Sequence, residues 1–549
     1  MKNSLTKKEL RELTLWGSEE PEELNPDFVQ DLQKLFTGWN PVILDEEELS
    51  TEIEIPPPEL PDAFLSQVIG LVGKENLKMG PKSRVLYSHG GSVEDLIRVR
   101  AGNFSLLCEA VVHPKSEDQV IKLLQICEKH GIAVVPVGGR TGVTRATHFT
   151  RKGIALDINP HLAKVLDINP DQQTAKVQAG ITGPDLEQAL QEKGYTLGHF
   201  PQSFEQCTVG GWVASRSAGQ NSTLYGKIED MVLSLRVATS RGILEQVITP
   251  ACATGPQWFP YFIGSEGTLG VITEVTLRIH PDTSINRKFA SYLFPTFRDG
   301  VKALKMICQS EFLPSIARLS DGTETYVYEI FSREGRKLSI KDKLIDKFLV
   351  YKKLHAKHRS ILILVYEGSA TYIKEVERSV KKASKQNRGF KAGSKYAKLW
   401  FKGRYEHPHL RDSLLDRGII TDTLETAGTW NNILKLQEAA NNALKNESPI
   451  ITAHCSHSYP EGSAIYFIYF TPAQKGKEVE QCRNMQKLAL DAFVANGGVT
   501  SHHHGVGKAF IPWARKEWGE RALSMATAVK KELDPKNILN PGNFPFDQM

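Results

Sequence analysis

The chain has 549 residues, 40% of them hydrophobic and 24% charged, a length that calls for two to four domains at roughly 100–200 residues each. A net charge of +5 is too small to imply a nucleic-acid partner, and basic runs such as Lys381-Lys382-Ala383-Ser384-Lys385 read as solvated helix faces. Seven cysteines (108, 127, 207, 252, 308, 455 and 482) form no CxxC pair. That points away from a zinc site or a disulfide framework and toward a reducing cytosol.

The start, Met1-Lys2-Asn3-Ser4-Leu5-Thr6-Lys7-Lys8-Glu9-Leu10, is basic but runs into charged residues instead of an apolar stretch, so no secretory signal is expected. No apolar run approaches the about 18–20 residues that span a bilayer. The end, Phe546-Asp547-Gln548-Met549, is not the peroxisomal SKL. The expected location is cytoplasmic, with any lipid met from the side.

Residues 1–103 mix helical periodicity with a rigid break at Ile55-Pro56-Pro57-Pro58-Glu59-Leu60-Pro61 and read as a helical N-terminal extension. From Ala110 the pattern predicts a strand through Pro114, an amphipathic helix from Glu117 to His130 and a strand at 132–137, a βαβ order. The second strand enters Gly138-Gly139-Arg140-Thr141-Gly142-Val143. Glycines there let backbone N–H groups face an anion, and a plain tight turn is the alternative. Neither GxGxxG nor GxxxxGK[ST] is present, which removes support for the usual Rossmann and P-loop readings.

Strands are predicted at 154–157 and 174–180, and a helix opens at Gly183-Pro184-Asp185. Further small-residue tracts follow at 208–215 and 264–272. Three such loops, each abutting a strand or helix, suggest one extended ligand with a pyrophosphate. Near the C-terminus, Ser501-His502-His503-His504-Gly505-Val506-Gly507 groups three imidazoles fit for proton transfer, anion holding or metal ligation.

These loops resemble those of the vanillyl-alcohol-oxidase/PCMH superfamily of FAD proteins. Pro136-Val137-Gly138-Gly139-Arg140-Thr141-Gly142 is similar to its pyrophosphate loop, with Arg140 where a third glycine is usual. The second flavin segment is matched by Pro201-Gln202-Ser203, Cys207-Thr208, Gly210-Gly211 and Ser215-Arg216-Ser217-Ala218, the third by Glu266-Gly267-Thr268-Leu269-Gly270-Val271-Ile272. Asp534-Pro535-Lys536-Asn537-Ile538-Leu539-Asn540-Pro541-Gly542 resembles the closing motif of FAD-linked oxidases. The fold implied is α+β: a two-subdomain PCMH-type FAD-binding domain at 104–283, an α+β cap or substrate domain at 284–495, and a C-terminal segment at 496–549 returning to the FAD domain.

Within that superfamily, four stretches and the histidine motif resemble the alkyldihydroxyacetonephosphate synthases. They are Tyr87 to Asp95, Ala317-Arg318-Leu319-Ser320-Asp321, Leu410-Arg411-Asp412 on to Glu425-Thr426-Ala427, and Cys455 through Phe470. The resemblance implies FAD as cofactor, with acyl-dihydroxyacetone phosphate and a long-chain fatty alcohol as substrates of a net non-redox exchange. It implies an acid/base role for Tyr459 activated by His503, with His502 and His504 lining the flavin and phosphate site. Arg318 and Arg411 would hold the substrate phosphate or the leaving carboxylate.

An extended 500–505 stretch would place His502 and His504 on one side and His503 on the other. Adjacent residues cannot then converge on one ion, and no nearby Cys or Glu completes a zinc set, so no metal is expected. A membrane-surface contact fits the lipid substrates, with residues about 330–400 as its candidate, and the family is compatible with a homodimer. The alternatives are an FAD-linked 2-hydroxy-acid (D-lactate or glycolate) dehydrogenase or oxidase, and a flavin-binding protein without catalysis.

Overall fold

A computed structural model describes residues 3–18, 20, 23–36, 39–42, 45–250, 252–331 and 339–548; of the lipid-contact stretch, 332–338 lie outside the described residues. The amphipathic reading of Glu117–His130 holds for the full helix, which Ser116 caps by accepting the Gln119 N–H and left-handed Gly131 ends. Its apolar stripe of Val120, Leu123, Leu124 and Cys127 is buried. The flanking strands, Ala110–Val112 and Ala133–Pro136, do not pair with each other. Gly153–Leu156 lies between them and pairs in parallel with both.

Leu77–Lys78 adds an antiparallel edge to this sheet, so a boundary at 103 cuts through one sheet. The predicted strands at 154–157 and 174–180 belong to different sheets. Thr174–Gln178 joins a five-stranded antiparallel sheet in the order Gly242–Glu245, Val232–Thr239, Val271–Arg278, Thr174–Gln178, Val165–Asn169. One apolar core joins the two sheets.

Seven antiparallel strands form the third sheet, ordered Phe390–Gly393, Lys288–Phe294, Ser360–Tyr366, Ile316–Ser320, Ile450–Ser458, Gly462–Pro472, Ile419–Thr429. Ser360–Tyr366 is buried throughout, because both faces are covered. Leu362, Leu364 and Tyr366 meet helices Phe297–Cys308 and Ala370–Gln386. Ile361, Ile363 and Val365 meet Leu349 and Trp400, from helices Ile340–Tyr351 and Lys395–Lys402.

The N-terminal extension is tied to this sheet. Phe28, Leu32 and Phe36 pack with Leu414, Ile419 and Phe470, and Arg11 and Arg100 converge on Asp416 at 2.7 and 2.8 Å. At the other end, helix Ile511–Leu533 bends at Gly519 and the chain returns to the four-stranded sheet. Val134 N–H donates to Ile538 O and Asn540 N–H to Val134 O, both at 2.8 Å. Among the described residues no helix is long and apolar enough to cross a membrane.

Candidate active site

The histidine stretch is not the extended segment expected. The backbone N–H groups of His502, His503 and His504 all donate to one oxygen of Glu425, each at 3.0 Å, and Ser501 Oγ donates to it at 2.9 Å. Successive N–H groups alternate in a strand; three converge on one anion only when the backbone curls into a concave turn. Glu425 stands on strand Ile419–Thr429 with its side chain 1% exposed. The turn is closed by Gly505 at φ 80°, where a side chain would be strained and a Cβ would also lie 2.1 Å from Glu266.

This curl changes the division of labour. Tyr459 Oη lies 3.1 Å from Nε2 of His502, not His503. His502 Nδ1 is 3.1 Å from His503 Nδ1, which is 3.2 Å from Glu425 Oε2. His504 faces Tyr466 Oη at 3.5 Å and Glu425 at 3.7 Å. The three imidazoles thus fan around one carboxylate instead of splitting across a strand.

Burial pushes His502 well below the ordinary imidazole value and His504 down to about 4, so both are neutral at pH 7. Burial works to raise the Glu425 carboxyl, but its interactions with the surrounding imidazoles, His503 first, outweigh it and hold it well below its ordinary value. The Tyr459 phenol is raised by burial. A neutral hydroxyl therefore stands next to the neutral imidazole of His502.

Both arginines are already engaged. Arg318 donates to Glu324 and to Ser320 Oγ at 2.9 Å, and its Nη2 lies 2.9 Å from His454 Nδ1; His454 stacks on Tyr466, which reaches His504. Arg318 thus borders the histidine cluster as half of a buried ion pair. Arg411 donates to Asp412 at 2.9 Å and to Gly91 O at 3.0 Å. Since Gly91 N–H donates to Gly142 O, Arg411 supports the first glycine loop and is not grouped with Arg318.

The three small-residue loops pack on one another. A Cβ on Gly138 would lie 2.5 Å from Thr208 Oγ1 and one on Gly139 2.1 Å from Gln206 O; one on Gly267 would strike Pro136. Glu266 N–H donates to Ala214 O. Many side chains in these loops hold the scaffold. Glu266 accepts from Val506 N–H, Gly507 N–H and Asn543, Arg216 pairs with Glu229 and Gln202 donates to Arg404 O. Cys207 Sγ receives the Trp212 indole N–H, Ser217 bonds His199, and Leu269, Val271 and Ile272 lie in the core. Arg140 occupies the left-handed region at φ 59°, the conformation a glycine would take freely, and its guanidinium lies 4.9 Å from the Tyr87 ring centroid.

Residues 108–247 match the family model described as an FAD binding domain, and 284–544 match the C-terminal domain of FAD linked oxidases. The alkyldihydroxyacetonephosphate synthase of Dictyostelium discoideum is 33% identical over 514 residues, 91% of this chain and 84% of that protein. The chain belongs to the alkyldihydroxyacetonephosphate synthase family. A solved structure of an alkyldihydroxyacetonephosphate synthase superposes with a TM-score of 0.79 at 30% identity, covering 94% of this chain and 92% of the other. The glycolate oxidase subunit GlcD of Bacillus subtilis is more distant, 24% identical over 87% of this chain and 96% of its own.

The cofactor is FAD, and the loops fit it. Among the described residues no acceptor receives the backbone N–H groups of Gly138, Gly139, Arg140, Thr141 or Gly142, a run of unclaimed donors that suits a pyrophosphate. His89 Nε2, Thr147 Oγ1 and His199 Nδ1 are buried without a partner. They belong to or flank the loop assembly and call for a polar ligand.

For a synthase of this family, the residue that sequence reasoning missed is Glu425. It was one letter in a matched stretch, though a carboxylate at a core position of a buried strand is itself a signal. It also removes the argument made against a metal, because Glu425, His502 and His503 offer ligand atoms within 4.8 Å of one another. Its Oε1 is nonetheless filled by the three N–H donors and Ser501.

Proposed function

We propose that this chain exchanges the acyl group of acyl-dihydroxyacetone phosphate for a long-chain fatty alcohol, forming an ether bond, with Tyr459, His502, His503 and Glu425 as its proton-handling chain. When bound, FAD supplies a nucleophilic ring nitrogen for an exchange at carbon without net change of redox state. The observation that carries the reading is the continuous contact from Tyr459 Oη through His502 and His503 to Glu425.

The contacts support one set of tautomers. The Glu425 anion keeps the His503 proton on Nδ1, where it faces both the carboxylate and His502 Nδ1. His502 Nδ1 must then accept, which puts its own proton on Nε2, pointing at Tyr459 Oη. With that oxygen already accepting a hydrogen bond, the Tyr459 O–H is free to donate to a substrate oxygen, and His502 Nε2–H stabilises the charge left on the phenol. Arg318 holds His454 and, through it, the Tyr466 face of the site. Arg411 keeps Gly91, and with it the first glycine loop, in place.

The test is incorporation of a labelled fatty alcohol into acyl-dihydroxyacetone phosphate by the FAD-loaded protein, with simultaneous release of the fatty acid. No incorporation under conditions where a family member works would overturn the reading. Anaerobic bleaching of the flavin by D-lactate or glycolate would put 2-hydroxy-acid oxidation in its place.

A further inference from the structure

Strand Ile450–Ser458 pairs in unbroken register up to Cys455, which opposes Ile465 and faces the core of the seven-stranded sheet. In a regular strand His457, two residues on, would point the same way. The register instead slips before Ser458, which pairs with Ser463, so Ser456 and His457 together oppose Ala464. That extra residue is a β-bulge, and it turns His457 to the opposite face. There the ring stacks on His502, 5.5 Å between centroids and 24° between planes, and meets His503 edge-on at 4.8 Å. The proton-handling chain leaves this buried imidazole unused.

What holds His457 comes from the other domain. Its Nδ1 is 2.9 Å from Ser222 Oγ, and Ser222 opens the short helix Ser222–Tyr225 inside the stretch that matches the FAD binding domain. Asn221, Ser222 and Thr223 are all buried, and the helix packs as a peg against strands Ile316–Ser320 and Ile450–Ser458. The peg is anchored by Glu367, which accepts from Asn221 Nδ2 at 3.3 Å, Tyr225 Oη at 3.4 Å and Arg287 Nε at 2.6 Å. Two residues past the helix, Lys227 Nζ donates to the His502 carbonyl at 2.8 Å, its charge met by Glu229 at 3.3 Å. One segment of the FAD-binding domain thus reaches His502 twice, at its ring through His457 and at its backbone through Lys227.

We propose that His457, Ser222 and Lys227 are positioning residues that fix His502 so that its Nε2 meets Tyr459 Oη only when the FAD-binding and C-terminal domains are docked. Resting on the exchange proposed above, this assignment names what holds the first link of its chain in place. His502 lies between Tyr459 Oη and His503 Nδ1, each at 3.1 Å, and keeps both only at one orientation of its ring. A stacked neighbour restricts that rotation. Burial holds His457 well below the ordinary imidazole value, so it stacks as a neutral ring and adds no charge beside His502. A misplacement of about 1 Å costs about 10²-fold in rate, so contacts that never touch the reacting atoms carry a catalytic effect. The FAD-binding domain thereby supplies part of the acid/base machinery as well as the cofactor site.

The experiment uses the full-length, FAD-loaded protein with Ser222→Ala, which deletes one buried oxygen, Lys227→Met, which keeps the stem and loses the ammonium, and His457→Phe, which keeps a ring and loses the bond to Ser222. Each should lower kcat for labelled-alcohol incorporation about 10–100-fold, with KM and flavin affinity unchanged. In a Tyr459→Phe background each should cost nothing further, because the effect passes through the phenol; a merely structural role would cost the same factor in both. Nitrogen NMR of the resting protein, isotope-labelled at the histidine ring nitrogens, reads the same geometry without turnover. The His502 signals, assigned through His502→Gln, should show one tautomer in the unaltered protein and a mixture in Ser222→Ala and Lys227→Met. That pattern without any alcohol incorporation would sink the proposed reaction and leave the positioning role standing. The positioning role is overturned if folded, flavin-loaded variants keep kcat and a single His502 tautomer, or if the loss is equal in both backgrounds. Should Ser222→Ala fail to fold, Lys227→Met, at a partly exposed side chain, supplies both readouts.

Discussion

Replacing Glu425 by glutamine keeps the shape of the side chain and removes its charge, which isolates what the anion does at the centre of the histidine turn. Three N–H groups and one hydroxyl meet Oε1 at 2.9–3.0 Å, and the His502 N–H also lies 3.1 Å from Oε2. Hydrogen bonds to a charged acceptor contribute about 1.5–3 kcal/mol and neutral ones about half that. In its better orientation the glutamine keeps its oxygen at the Oε1 position and weakens four contacts. Its NH2 group then opposes the His502 N–H and the His503 Nδ1–H. A loss of about 2–4 kcal/mol in stability follows.

The chemical consequence is larger than the structural one. An amide N–H facing His503 Nδ1 moves that ring's proton to Nε2, and the two facing Nδ1 atoms can no longer share a proton as they did. Tyr459 then loses its donor, and kcat should fall by about 10²–10⁴ with KM little changed. The assay is labelled-alcohol incorporation at matched FAD occupancy, read beside thermal unfolding. An unchanged kcat at full occupancy would refute the tautomer argument, whatever the change in Tm. The pH dependence supplies a second check. Because the folded Glu425 pKa lies below its unfolded value near 4.5, its stabilisation is complete above that value and is lost as pH falls through the folded one. The Tm gap between the protein and its Glu425→Gln variant should therefore close in acid.

Tyr459→Phe removes the donated proton and little packing, and should lower exchange by about 10²–10⁴ with FAD affinity and Tm retained; retained exchange would exclude the phenol as acid. Asn540→Ala deletes bonds to Ala146 O at 3.0 Å and Glu266 O at 2.7 Å and an acceptor for Lys508 at 2.8 Å. It should cost about 1–3 kcal/mol and weaken FAD binding, read by flavin fluorescence on titration. At Arg140, left-handed at φ 59°, Val should destabilise by about 1–2 kcal/mol and Gly should not, as compared by Tm. Native stability should also fall between pH 6.5 and about 4, since His504 titrates at about 4 when folded and near 6.5 when unfolded. The unfolded chain binds the extra proton in that window, and His504→Gln should flatten the slope.

Local features were legible in the sequence because their causes are local. Ser116 and Gly131 bound the helix Glu117–His130 by capping chemistry that four residues specify. What sequence reading missed depends on partners far along the chain. Ala110–Val112 and Ala133–Pro136 follow one another as a βαβ unit would, yet Gly153–Leu156 enters between them, and nothing in the two strands states that. Period-two alternation at 500–505 assumed an extended backbone, whereas the carboxylate that curls it stands on a strand ending at Thr429. In that curl Tyr459 meets His502, and not the His503 that the resemblance implied.

The bonds between Val134 and the Ile538–Asn540 segment set an order of events during synthesis. The strand that leads into the first glycine loop emerges from the ribosome early, but its outer neighbour is made some 400 residues later, at about 5–20 residues per second. Until then that edge and the loop beyond it lack the Asn540 bonds that brace Ala146 and Glu266. Tight flavin binding should therefore follow completion of the chain, and a chain lacking the Ile538–Asn540 segment should hold the flavin more weakly.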